Sequence, residues 1–475
     1  MSNIIVRIDS IYGLALSKLL LDTGEVSLSN PNREILENLS INEEKHPHDV
    51  NISDLDNRTG IMLKGYPLAV KKIEKLFREE LLDSIIFQHP VKQDAIYSAM
   101  VIKRIFKKRL SILDLGGDTR GIIFNSSAEV GEQIIVQVKE LPTEIDKLPV
   151  CSTEITLGGD YVILEVEQDF VRVSRKLQGA EREALHNLGK LHQPPGFGII
   201  IRTSAASANE DDIIKEINSL VDLWSEIHRQ MEEDERGIKL VSGEMVSEVY
   251  FANASKQHLD TLRAKILPTL PNYHHLRSYS MATGFGLEFI QTFIAKIPME
   301  EASKRMLEMI LERDYTNNRN IRGDFRFLNG TIREENLGNI IDNKIMKTSF
   351  VKHENSSDPN EYFKLFDGNR VEAIFAAGGW TIHYKYYNNE NLTGERLRII
   401  TPLDLGFKGR IRAFDMGMNL YKDAETGRVD TQVDDITSNM IESGMISKDL
   451  DEKLGDILRN ALELLNASHE QIIIK

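Results

Sequence analysis

At 475 residues the chain is too long for one ordinary core and calls for about two to four domains. Hydrophobic residues at 41% and charged residues at 28% read as a soluble globular protein and exclude a disordered chain. No apolar run approaches the roughly 18 residues of a membrane helix. The start, Met1 to Asp9, lacks a signal-peptide pattern, and the single Cys151 excludes an internal disulfide and argues against a thiolate zinc site. A cytoplasmic location is expected.

In chain order, Ile4 to Ile8 is apolar and β-rich, Tyr12 to Leu21 has helical spacing, and Val50 to Leu63 reads as two strands around the turn Asp56 to Gly60. Pro67 opens an amphipathic helix through Val70, Ile73, Leu76 and Phe77, and a strand follows from Ser84 to Phe87. Residues 1–90 are thus expected to form a small α+β domain, with no chemistry assigned to Pro31, His46 or His48. From Ile96 the segments are short and β-rich: Ile96 to Phe106, Leu110 to Leu115, Gly121 to Phe124 and Gln133 to Val138. Such a run without a helix predicts a small barrel such as an OB-fold, within residues 91–205.

Asp212 to Met231 is the clearest helix, with Ile213, Ile217, Leu220, Val221, Trp224 and Ile227 on one stripe. Helices over Gln257 to Ile266 and Leu287 to Ile297 bracket an expected loop, Pro268 to Tyr279. A helix over Lys304 to Arg313 then runs into Asn317, Asn318 and Asn320, read as a linker closing a helical region 206–320. The last part, 321–475, returns to β: Phe325 to Arg333, Ile345 to His353, Glu372 to Ala376, Thr381 to Tyr387 and Arg396 to Ile400. A polar loop, His353 to Pro359, interrupts it, and a helix over Asp449 to Leu465 ends it. The fold class expected is multidomain α+β, with a C-terminal antiparallel β-barrel and a terminal helix.

The net charge of −15 confines phosphate binding to local basic patches, because Lys and Arg must release counterions from the nucleic acid. Two patches exist: Lys92, Lys103, Arg104, Lys107, Lys108 and Arg109, and then Arg172, Arg175, Lys176 and Arg182. The strand Gly196 to Ile201 ends in Arg202-Thr203, a guanidinium fork beside a hydroxyl, which can hold a terminal phosphate.

Leu157-Gly158-Gly159 through Ile163, Val173 to Leu177 and Ile200 to Thr203 resemble, in order and spacing, bacterial ribonuclease E/G. That resemblance implies a pocket sensing a 5′-monophosphate on RNA, with Arg202 and Thr203 gripping the phosphate and Gly159 and Ile163 as small wall residues. It also implies an RNA contact at Lys147; Arg175 and Lys176 lie in the resembling segment Val173 to Leu177, and Lys107 and Lys108 of the first basic patch are further RNA-binding candidates. Ile96-Tyr97, Leu113 to Gly116 and Arg120-Gly121 resemble the OB-fold of the same enzymes, but Ile112 and Ile122 stand where that family stacks RNA on phenylalanines. No match to its nuclease domain follows Met231, and its zinc-link cysteines are missing.

Ile8 to Asp22, Ser255 to His275 and the C-terminal third resemble archaeal FAU-type proteins, a likeness covering nearly the whole chain. It implies an endoribonuclease that binds AU-rich RNA and processes ribosomal RNA precursors. Neither a membrane nor DNA is expected as partner, and oligomeric state is left open. The run Ile400 to Asn419, with Asp430, resembles metal-dependent nucleoside-diphosphate phosphatases. That likeness implies a divalent ion, Mg2+ or Mn2+, at Asp415, Asn419 and Asp430, with Gln432, Asp434 and Asp435 uncertain in register. The paired His274-His275 is weighed as a general acid or base against a buried core pair. A non-catalytic RNA-binding protein and a nucleoside phosphatase are the alternatives.

Overall fold

The computed structural model describes residues 3–41, 47–81, 83–89, 91–142, 147–233, 238–293, 296–316, 319–342, 346–351, 370–434, 440, 443–467 and 472–474. Its first sheet has six strands: β1 (Ile4–Asp9), β2 (Val26–Leu28), β3 (Val50–Asp54), β4 (Gly60–Gly65), β5 (Ile85–Gln88) and, from far along the chain, β16 (Met245–Tyr250). The order is β2-β1-β3-β4-β16-β5, so β16 is an interior strand, hydrogen-bonded antiparallel to β4 on one side and β5 on the other. Gly60 makes that fit possible, since a Cβ there would lie 2.0 Å from the carbonyl of Val249. Helices α1 (Gly13–Leu21), α2 (Arg33–Leu39), α3 (Pro67–Glu80) and α6 (Asn253–Ala264) add apolar side chains to its core, among them Leu16, Ile35, Phe77 and Leu259. The first domain is therefore discontinuous, and a boundary at residue 90 cuts it in two.

Everything between β5 and β16 is an excursion with two parts. The first is a closed barrel of β6 (Ile96–Ile105), β7 (Leu110–Gly116), β8 (Thr119–Phe124), β9 (Gln133–Glu140) and β10 (Val150–Ser152). The order β6-β7-β8-β10-β9 is closed by pairing of β9 with β6, while β15 (Ile238–Val241) adds to β6 from outside. Inward residues alternate along the strands (Leu113, Leu115, Ile123, Val136, Val138, Cys151), as period-2 burial requires. The second part is a sheet of β11 (Thr156–Gly158), β12 (Val162–Val166), β14 (Phe197–Ile201) and β13 (Val171–Val173), in that order. Helices α4 (Gly179–Leu191) and α5 (Glu210–Glu233) pack on it, α5 through Ile213, Ile217, Leu220 and Ile227.

Three short elements follow: α7 (Tyr273–Tyr279), α8 (Met281–Gln291) and α9 (Met299–Asp314). The expected loop Pro268 to Tyr279 thus ends as a helix. Its start is fixed from a distance, Asp260 of α6 accepting the backbone N–H of His274 at 3.0 Å. Helix α8 begins earlier than its apolar pattern suggests because the Ser280 hydroxyl accepts from Thr283 N–H at 3.1 Å. The linker reading also fails at Asn320, which opens a strand; Asn317 and Asn318 lie outside the described residues.

That strand, β17 (Asn320–Phe327), forms a hairpin with β18 (Ile332–Asp342), where a single strand Phe325 to Arg333 was expected. With β19 (Lys347–Val351), β20 (Arg370–Ile374), β21 (Thr381–Asn388), β22 (Asn391–Ile400), β23 (Asp404–Gly406), β24 (Arg410–Asp423) and β25 (Val429–Val433) they make a nine-stranded sheet. Its pairings are antiparallel except the one that closes it, β17 beside β24 in parallel. Helix α10 (Lys448–Asn466), capped by Ser447, lays Leu450, Leu454, Ile457 and Leu465 on its outside. The polar loop His353 to Pro359 lies outside the described residues.

Helix α6 is tied to this second barrel by an ion pair between Lys256 and Asp404, both buried. Removing one member of such a pair leaves a buried charge uncompensated. Lys256→Met is expected to cost about 3–5 kcal/mol, and adding Asp404→Asn to recover more than half of it. Denaturant unfolding of the single and double variants checks this, and a single-variant cost below about 1 kcal/mol would refute it.

Candidate functional site

Arg202 and Thr203 follow β14, and the structure sets them at a small cavity of about 80 Å3 lined by Arg7, Asn30, Pro47, His48, Asp160, Arg202, Thr203 and Ser204. Six of these eight residues, all but Arg202 and Thr203, were not foreseen as functional. Arg7 stands on β1, while Asn30 and His48 come from the loops after β2 and before β3, so the first domain supplies one wall and the inserted sheet the other. Arg202 is oriented by its Nη1, which donates to the carbonyl of Gly159 at 2.6 Å. The hydroxyl of Thr203 lies 2.9 Å from that of Ser174. Among the described residues neither Arg7 nor Arg202 has an ion-pair partner, and Asp160 is the one carboxylate in the lining.

The electrostatics follow from this crowding of positive charge. Burial, then Arg202, then Arg7 push His48 down to about 4, against the pull of Asp49, so its ring is neutral near pH 7. Burial raises Asp160, with Arg202 opposing. Two guanidinium groups without an ion-pair partner among the described residues, beside a neutral imidazole and the Thr203 hydroxyl, suit a small anion with several acceptor oxygens.

Gly159 and Ile163 are not in the lining. Gly159 acts one step back: the turn it opens wraps the carboxylate of Glu216 on α5, which accepts N–H groups of Asp160, Tyr161 and Val162 at 2.6, 2.7 and 2.8 Å. A Cβ on Gly159 would sit 2.4 Å from that carboxyl carbon. Ile163 pairs within the sheet, opposite Gly158 and Ile200. Arg175 and Lys176 are exposed just after β13, next to Ser174. Arg182 is used up in structure, donating to the carbonyls of Val173 and Ser174 at 2.9 and 2.6 Å.

The barrel presents a separate basic face. Lys103, Lys107, Lys108 and Arg109 are exposed around the turn from β6 to β7. Ile112 and Ile122 pair across β7 and β8, and two rungs on, on the same face, Leu110 pairs with Phe124. Phe124 is 50% exposed and Phe106 78%, so this face does carry aromatic rings, displaced from the two isoleucines. Arg104 lies 5.3 Å from the Phe106 ring centre. Exposed Lys147 precedes Pro149, whose carbonyl accepts Ile122 N–H at 2.9 Å, placing it near the same rungs.

Residues 156–265 match the family model of the Ribonuclease E/G family. The match takes in the inserted sheet, α5, β15, β16 and α6, leaves the barrel strands β6 to β10 outside, and runs past Met231. Proteins named "Probable ribonuclease FAU-1" resemble the chain far more widely. That of Thermococcus gammatolerans is 28% identical across 94% of this chain and 95% of its own length. That of Pyrococcus horikoshii is 29% identical across 89% and 90%. The chain is a relative of these proteins. Among solved structures, the phosphatase SC4828 with the nucleotide GPCP covers 33% of this chain and 85% of its own at 10% identity. Its TM-score of 0.25 carries no argument about the fold.

The three residues expected to hold a metal are not arranged as a ligand set. Asp415 is buried and paired with Arg398 at 2.7 Å, and its other oxygen accepts Gly417 N–H at 2.8 Å. The side-chain oxygen of Asn419 accepts from Arg396 at 2.9 Å. Asp430 is exposed and paired with Arg428 at 2.9 Å. Arginines thus hold the lone pairs a cation would need. Among the described residues no group of three or more His, Cys, Asp or Glu could hold a metal ion, and Asp435 lies outside them. His274 is a core residue, its Nδ1 2.6 Å from Asp260 and its ring stacked on Tyr12. His275 Nδ1 lies 3.2 Å from Asp404, and burial lowers its pKa.

Two tests follow from the pocket. Gly159→Ala must push Glu216 aside and is expected to cost about 1–3 kcal/mol, read as a fall in thermal stability. His48 has its pKa lowered by folding, so between pH 6.5 and about 4 the unfolded chain holds more protons and stability drops as pH falls. His48→Gln should flatten that part of the stability profile while leaving the pH 7 to 8 region unchanged. Equal slopes for the two proteins would show that His48 is not held neutral.

Proposed function

We propose that the chain is an RNA-binding endoribonuclease that senses the 5′ end of its substrate in the Arg7–Arg202 pocket. The observation that carries this reading is the convergence on one phosphate-sized cavity of Thr203, a neutral His48 and two arginines that have no ion-pair partner among the described residues. The sequence likeness to ribonuclease E/G and to the probable ribonucleases supports it from another direction. We read the closed five-stranded barrel as an OB-fold, because its third and fifth strands pair in parallel and its fourth returns to the first. Its exposed lysines would hold phosphates, and Phe106 and Phe124 would stack bases, which contributes about 1–3 kcal/mol per base. Lys147, Arg175 and Lys176 would carry the strand between barrel and pocket. AU-rich single-stranded or loop regions of ribosomal RNA precursors are the substrates we favour, in the cytoplasm. A divalent ion, Mg2+ or Mn2+, is the cofactor whose requirement the cleavage assay would read, and Asp415, Asn419 and Asp430 do not form its site.

The test compares one RNA with a 5′-monophosphate, a 5′-hydroxyl or a 5′-triphosphate, in binding and in cleavage with and without EDTA. The monophosphate should win by several-fold, since each charge-assisted bond is worth roughly 1.5–3 kcal/mol. Arg202→Ala and Arg7→Ala should each remove the advantage, and Arg202→Lys should lose much of it because lysine offers no fork. If all three ends behave alike in the wild type, Arg202 is a structural tie to Gly159 and end sensing is refuted. Binding without cleavage would leave a non-catalytic RNA-binding protein.

A further inference from the structure

A second cavity, of about 170 Å3, lies between the first sheet and the C-terminal barrel and shares no residue with the pocket above. Its walls include Ile85, Tyr250, Phe251 and Phe414, with Ile332, 56% exposed, at the rim. Arg326 of β17 also lines it, directly across the hairpin from Ile332. The position of Arg326 is over-determined: Nη1 donates to Glu248 at 2.7 Å, and Glu248 in turn accepts from the Tyr250 hydroxyl at 2.5 Å. Rings of Tyr250, Phe87 and Phe414 lie 4.7, 5.0 and 5.8 Å from the guanidinium carbon.

What this framework leaves open is one edge of the guanidinium. Nε and Nη2 are buried and have no hydrogen-bond partner among the described residues. They point the same way, as a two-pronged donor, and leaving such groups buried and unpaired is costly. The cavity also has a free acceptor. Asp404 Oδ1 lies near His275 but makes no hydrogen bond, while its other oxygen is paired with Lys256. The remaining carboxylates in the wall are occupied: Asp83 accepts two N–H groups at the start of α6, and Asp324 pairs with Arg410.

The lining carries three carboxylates, Asp83, Asp324 and Asp404, against two guanidinium groups, Arg326 and Arg412, a balance that disfavours an anion. A neutral planar group fits better, one with two adjacent acceptors on one edge and donors on the next, held between apolar rings. Guanine has that pattern: O6 and N7 accept from an arginine fork, and N1–H and the 2-amino group can donate to a carboxylate. Adenine places an amino group where the second acceptor is needed. We propose that this cavity binds a single guanine base through Arg326, with Asp404 as the opposing acceptor. The inference rests on the RNA reading only for where the base comes from, so isolated nucleosides test it separately from end sensing.

The experiment is calorimetric titration of the full chain with guanosine, adenosine and inorganic phosphate, followed by two single-stranded RNAs differing in one guanosine. Guanosine is expected to bind at least about tenfold more tightly than adenosine, the scale of one bidentate base contact. Arg326→Lys keeps the charge and loses the fork, so the preference should disappear. If that variant does not fold, Ile332→Trp at the exposed rim should block guanosine without disturbing the core. The RNA with guanosine should bind more tightly than its partner if a strand supplies the base, and equally if the ligand is a free nucleotide. No guanosine binding, or equal binding of guanosine and adenosine, overturns the proposal. Phosphate binding that Ile332→Trp abolishes would make the cavity an anion site and overturn it too.

Discussion

The architecture depends on a strand that arrives late. Met245 to Tyr250 fills the gap between β4 and β5, and its six residues are registered against Gly60 to Gly65. Without it, β4 and β5 would each present an unpaired edge, and the sheet that carries Arg7 would be open in its middle. With it, both ends of the long excursion are anchored side by side, Gln93 and Glu244 exchanging backbone hydrogen bonds at 3.0 and 2.8 Å. The inserted sheet is thereby held against the first domain, and the pocket exists only at that junction. Arg202 meets its opposite wall, Arg7, Asn30 and His48, only where the inserted sheet lies against the first domain.

Arginine does different work in the two halves of the molecule. At the junction Arg7 and Arg202 have no ion-pair partner among the described residues, and their charge adds to burial in depressing His48. In the C-terminal barrel Arg396 and Arg398 are buried among rings, with Asn419, Asp415 and Glu335 as their partners. There the guanidinium groups neutralise acids that would otherwise attract a cation. One residue type in these two settings gives an anion-seeking surface in one place and a closed polar core in the other.

Much of this was legible in the sequence, for physical reasons that differ by element. The stripe of α5, Ile213 to Ile227, keeps a 3.6-residue period over about four turns and cannot be mistaken for a strand. The barrel showed itself as β-rich segments separated by turns, and Arg202-Thr203 as a polar pair ending an apolar strand. The first domain's missing strand was not legible, because local pattern shows that Met245 to Tyr250 is extended but not which edge it fills. Helix α7 was hidden by its length and by Pro268 and Pro271, since Asp260 fixes it from another helix. Arg7 and His48 lie far from Arg202 in sequence. The one available signal was that Arg7 interrupts an otherwise apolar strand, Ile4 to Ile8. The metal expectation left out the arginines that oppose Asp415 and Asn419, which sit in plain alternation at Arg398 and Arg396 on the neighbouring strand.

The late strand also sets the order of events during synthesis. When β5 has left the ribosome, the first domain holds most of its apolar core but cannot close, and about 150 further residues must be translated before β16 appears. At about 5–20 residues per second that is a delay on the order of 10 s, far longer than the microseconds in which hairpins form. The barrel and the inserted sheet have time to fold inside that interval, each with its own core, while β4 and β5 wait with exposed edges. Nascent chains arrested between residues 90 and 245 are the species most exposed to edge-to-edge misassembly. The first domain, although encoded first, is the one completed after the excursion it encloses.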